Sequence, residues 1–239
     1  IGATTELTSV TVSAASQVDL ANVSTTGAVA ITGTNIDLNT AAIVTDDGDV
    51  TFTGAVDLEG GAASVQSDQN NDGTDGNIQF TSTINGGQTI SVDADGGTVA
   101  FDGAIGGATE LTSVTVTAAS QVDLANVSTT GVIAVTGTNI DLNTAAIVTN
   151  DGHVTFTGAV DLDGGAASVD SDANTDGTDG NILFSGTIDG AQTLTLDADT
   201  GTITTSANVG TTTDLGAVNF TAATINLNAD IKTDSAGQA

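Results

Sequence analysis

The chain has 239 residues; 30 are Asp or Glu and one, Lys232, is Lys or Arg, for a formal charge of −29. So few cations cannot neutralise phosphates, which excludes nucleic acid as a partner and argues against anionic membrane surfaces. Cys, Met, Pro, Trp and Tyr are absent, which excludes disulfide frameworks and thiolate metal sites. No apolar run approaches the ~18 residues of a spanning helix, so no membrane insertion is expected in this segment.

Acidic chains are often disordered, but here 38% of residues are hydrophobic, mostly Val, Ile, Leu and Ala, enough for a simple aliphatic core. Residues 2–105 align without a gap on 106–209, and 76 of the 104 pairs are identical. A third copy opens at Gly210, where GTTTDLGAVNFTA reads against GATTELTSVTVSA. The expected organisation is therefore repeat 1 over 1–105, repeat 2 over 106–209 and the head of a third over 210–239. A chain lacking Met and ending within a repeat is expected to be a window onto a longer array.

Within the first copy, Gly27, Gly48, Gly76 and Gly97 each open an alternating strand: AVAI, DVTF, NIQF and TVAF follow them in turn. The spacings are 21, 28 and 21, and the long one contains the seven-residue excess around DQNNDGTDG. Short strands at a step near 21 residues are the signature of stacked coils, none of which can bury its apolar face alone. The predicted fold is all-β, a β-solenoid of parallel stacked coils. Alternation places Val29, Val50, Ile78 and Val99 in one inward column and Ile31, Phe52, Phe80 and Phe101 in the next. The second copy repeats these as Ile133, Val154, Ile182 and Ile203, then Val135, Phe156 and Phe184, with Thr205 last. The interval from Gly97 to Gly131 is 34 residues, too long for one coil and too short for two, so the count is four to five coils per repeat.

The excursion carries the sharpest chemical signal. Asp68, Asn70, Asp72 and Asp75, matched by Asp172, Asn174, Asp176 and Asp179, place oxygen ligands at positions 1, 3, 5 and 8, with Gly at 6. Ca²⁺ takes six to eight hard oxygens and needs such a turn, so these eight residues are the candidate metal ligands. The pattern departs from an EF-hand at position 12, which is Gln79 or Leu183. The other reading is a solvated polar loop. A second acidic group, Asp46, Asp47 and Asp49, becomes Asn150, Asp151 and His153 in copy two, which argues for a polar turn there. Asp19, Asp37 and Asp57 are expected on similar outward faces of stacked coils, where their charges solubilise the rod. Thr51 has Ala30, Gln79 and Ala100 as column neighbours, so no uniform Thr ladder of the ice-binding kind is expected. Asn22-Val23-Ser24 and Asn126-Val127-Ser128 match the glycosylation triplet, a short motif that arises often by chance.

The run VTFTGAVDL…GNIQFTSTINGGQTISVDADGGTVAFDGAIGGATELTSVTVTA resembles repeats of giant bacterial surface proteins, the filamentous-haemagglutinin-like and β-strand-repeat adhesins. The resemblance spans the chain and rests on repeat style (GxVxF, GAVxL, LTSVTVTA). It implies a right-handed parallel β-helix in a secreted, extracellular structural segment at the cell surface. With Lys232 as the one cation and no carboxylate pair distinct from the repeated background, no enzymatic activity is expected, and open solenoid ends leave homo-association into a filament open. The resemblance names no receptor or glycan. Two alternatives accompany it: a calcium-stiffened array of Ig-like β-sandwiches, and a polysaccharide-binding or -cleaving β-helix.

Overall fold

The computed structural model describes residues 1–70, 72–117, 120–143, 145–174 and 177–234, with the side chains of all of these but Ala14 and Ala15. Among them there is no helix, and every strand pairing is parallel. An Ig-like sandwich would pair its strands antiparallel; the chain is instead a β-solenoid.

Each coil has three faces. β1 (Val10–Leu20) bends midway, so its first half lies on the first face and its second half on the second; β2 (Val23–Thr25) forms the third. The next coil repeats this with β3 (Val29–Leu38) and β4 (Ala42–Thr45), and the one after with β5 (Val50–Asp57) and β6 (Ala63–Gln66). Val10 pairs Val29, Val29 pairs Val50, Val50 pairs Ile78 and Ile78 pairs Val99. The side chains from Val29 onward in this column are at most 1% exposed. The aromatic column stands as expected: Phe80 stacks on Phe52 at 4.9 Å and on Phe101 at 5.3 Å, and Phe156 on Phe184 at 4.9 Å.

Past Val99 the column departs from the repeat. Val99 pairs not with Ile133, the counterpart of Val29, but with Val122, the counterpart of Val18 on the second face. The first face then continues through Ile140, Val160, Ile188 and Val209, the counterparts of Ile36, Val56, Ile84 and Ile105. The column beginning at Val23 meanwhile takes in Val116, Val135 and Phe156, counterparts of first-face residues. One repeat is therefore fourteen faces, five coils less one face. Each sequence element moves to a neighbouring face, a third of a turn, from one repeat to the next. The 34-residue interval is one coil and two further faces.

Glycine recurs before the first face because the coils touch there backbone to backbone. A Cβ on Gly48 would lie 2.1 Å from the Gly27 carbonyl carbon, and one on Gly76 would lie 2.4 Å from the Gly48 carbonyl oxygen.

Candidate metal centre

The strand before each of these strand-opening glycines ends in a buried hydroxyl that caps that glycine's carbonyl. Thr45 donates to Gly48 O at 2.6 Å and Thr149 to Gly152 O at 2.8 Å. In the next coil the hydroxyl is Ser67 and the glycine is Gly76, so the same cap (2.7 Å) spans nine positions. Gly76 N donates back to Ser67 O at 3.3 Å. Ser171 and Gly180 repeat both bonds at 3.0 and 3.1 Å. The excursion is thus sealed at its neck, and its first and last residues, Asp68 and Asp75, are brought side by side.

A third carboxylate comes from the coil above. Ala94 to Gly97 form a tight turn closed by Gly97 N donating to Ala94 O, and Gly97 stacks on Gly76. Asp95 sits in this turn at φ +44°, a left-handed conformation that Asp tolerates better than most residues. Its amide is held by Asp93 Oδ1 at 3.2 Å. Gly96 leaves the space that Asp75 fills, since a Cβ there would lie 2.1 Å from Asp75 Oδ2. One oxygen from each of Asp68, Asp75 and Asp95 lies within 4.8 Å of the others, and Asp172, Asp179 and Asp199 form the same triad in repeat 2.

Asp68 and Asp172 are 1% and 5% exposed. Asp75 Oδ1 and Asp179 Oδ1 are fully buried and receive no hydrogen bond. Contact with the Asp68 carboxylate, then burial, then the charges of Asp75, Asp68 and Asp93 push the Asp95 carboxyl above its usual range. Three hard oxygens at this separation fit a dication, since twice a Ca–O distance of ~2.4 Å spans the triad.

The other sequence candidates lie outside the triads. Asn70 Oδ1 accepts from Asp72 N and Asp72 Oδ1 from Thr74 N, both within the loop, and Asn70 Nδ2 reaches Asp47. Asn174 donates to Asp151 at 3.0 Å. Asp176 lies outside the described residues. Asp95 and Asp199 escaped the sequence reading because they follow Asp68 and Asp172 by 27 residues, in another coil. One signal marks them: residues 81–105 keep only ten identities between copies, yet both Asp93 and Asp95 are retained as Asp197 and Asp199. His153 accepts a hydrogen bond at Nδ1 from Asn181 N, as Asp49 does from Asn77 N. Asn22 Oδ1 accepts from Ala42 N in the coil above.

The outward aspartates form ladders. Asp19, Asp37 and Asp57 are in register on the second face and Asn85 continues them. Asp123, Asp141, Asp161 and Asp189 are in register on the first. Asp37 and Asp141 are less outward than expected, only 3% and 9% exposed. Gln121 Nε2 bridges Asp123 and Asp141 at 2.8 Å each, and Asn139 donates to Asp141 at 2.7 Å. Gln17 and Asn35 do the same around Asp37. Burial, then the shared contact and charge of Asp123, then Asp163 and Asp161, push the Asp141 carboxyl up to about 6.

Comparison with protein-family models, with curated proteins and with solved structures finds no match.

Proposed function

We propose that the chain is a stiff structural segment of an extracellular bacterial surface fibre or adhesin, without catalytic activity, and that its acidic triads bind calcium. The observation that supports this most is the ladder that crosses the repeat boundary without a break, Val99 to Val122 on the first face and Ile105 to Val127 on the second. Backbone hydrogen bonds run along the axis on three faces, so bending must stretch at least one ladder. Coils stack by nearest-neighbour contacts, so length is gained by adding repeats. Calcium would tie the loop neck of one coil (Asp68, Asp75) to the turn of the next (Asp95), replacing mutual repulsion with a shared ligand. The repeat style shared with bacterial surface adhesins supports the location.

Two measurements test this. Chains of two, three and four repeats should lengthen in solution scattering by about 22 Å per repeat, four and two-thirds coils at ~4.8 Å each; growth in cross-section would refute the spacer. Calcium should raise the melting temperature, each site stabilising the fold by about 2.7 kcal/mol at a hundred times Kd. No rise, or an equal rise in an Asp75→Asn/Asp179→Asn chain, would refute the calcium site.

A further inference from the structure

The near-elimination of Lys and Arg needs a cause beyond solubility. About ten coils at ~4.8 Å make a rod about 48 Å long, and it carries 29 net negative charges. That is one charge per about 1.7 Å of axis, the linear charge density of double-stranded DNA. Two unit charges in water reach thermal energy at about 7 Å, so charges this dense hold a condensed layer of counterions.

The charge also surrounds the rod. The ladder of Asp19, Asp37 and Asp57 lies on the second face, and its counterpart, Asp123, Asp141 and Asp161, lies on the first. The excursion at 68–75 leaves the corner between the third and first faces, and the one at 172–179 leaves the corner between the second and third. Because each repeat advances by a third of a turn, every acidic feature of repeat 1 reappears on a neighbouring side in repeat 2.

We propose that this rod acts as a protein polyelectrolyte, binding flexible basic polypeptide segments along its whole length through counterion release. Scattered Lys or Arg would form local ion pairs and lower the axial charge density, which accounts for their loss. This inference is independent of the calcium reading.

Titration calorimetry with an eight-residue lysine peptide tests it. The association constant should fall with a log–log salt slope near −7, a loss of about 10⁴-fold between 50 and 200 mM salt. At 50 mM, charge balance between −29 and eight lysines sets saturation at about three to four peptides per chain. Asp49→Asn with Asp102→Asn, both exposed and outside the triads, should change affinity less than about threefold. Asp75→Asn with Asp179→Asn should preserve slope and stoichiometry even where it abolishes the calcium response. No binding at 50 mM salt, a slope shallower than about −3, one peptide per chain, or loss of binding in either double variant would overturn the proposal.

Discussion

Replacing Asp141 with Asn should stabilise the rod at neutral pH and do almost nothing in acid. Asp141 sits 9% exposed between Asp123 on one side and Asp161 on the other, with Asp163 and Asp189 beyond, and with amides of Gln121 and Asn139 as its donors. Its carboxyl is raised from 3.8 to about 6, first by burial and then by Asp123. Since the folded value lies above the unfolded one, the fold prefers the protonated acid. That preference is fully expressed below about pH 4 and is lost as pH rises through about 6. A rise of about two units sets a ceiling of about 3 kcal/mol on the cost of ionisation at pH 7.5. Screening at the half-exposed neighbours reduces this to about 1–2 kcal/mol. Asparagine removes the charge, keeps one oxygen to accept from Asn139 and can donate to Asp123 in place of the bond now accepted from Gln121, whose amide keeps its bond to Asp123. The melting temperature at pH 7.5 should therefore rise by about 3–6 °C, and by under about 1 °C at pH 4. Melts followed by circular dichroism at both pH values, with a carboxyl carbon titration of the parent chain, measure this. An equal gain at both pH values, a loss at pH 7.5, or a titration midpoint below about 4.5 would refute the reasoning.

Three further outcomes follow from named contacts. Asn85→Asp completes the first ladder and keeps its backbone bonds, because Asp189 Oδ1 accepts from Thr212 N and Thr213 N as Asn85 Oδ1 does from Ala108 N and Thr109 N. The added repulsion from Asp57, about 0.9 kcal/mol unscreened and about half that at 0.15 M salt, should lower the melting temperature by about 1–2 °C and fade in 1 M salt. Thr205→Val removes a hydroxyl that is buried without a partner in register with Phe184 and should gain about 1 kcal/mol, read as a rise of about 2–4 °C. Gly54→Ala puts a Cβ 1.8 Å from Gly33 O at φ +133°, so the two stacked coils must part there; a loss above about 2 kcal/mol in denaturant melts is expected, and a neutral variant would show that the bend of β5 adapts.

The coil and its core were legible in the sequence because Val29, Val50, Ile78 and Val99 alternate at a regular step after glycine, and a period-two pattern admits one inward set. Asp68 and Asp75 were legible because they flank an insertion that interrupts that step. Asp95 was not, because its approach to them depends on which coil stacks above the loop, and that register is set by Gly97 against Gly76, far along the chain. The burial of Asp37 and Asp141 was hidden for a similar reason: alternation assigns them outward, and only the cross-coil amides of Gln17 and Gln121 close over them.

The third of a turn between repeats limits what such a rod can do. One sequence element occupies the first face in repeat 1 and the third in repeat 2, so all three faces must accept the same Val, Ile, Leu and Phe columns, which accounts for the simple core. A one-sided property, such as a flat threonine surface or a long glycan groove, cannot be extended by copying the repeat, because each copy turns it away. Features that tolerate rotation survive duplication: backbone ladders, an aliphatic interior, an acidic triad at the neck of each loop, and charge spread around the axis. These are the properties of a spacer and of a polyelectrolyte, and lengthening the array strengthens both.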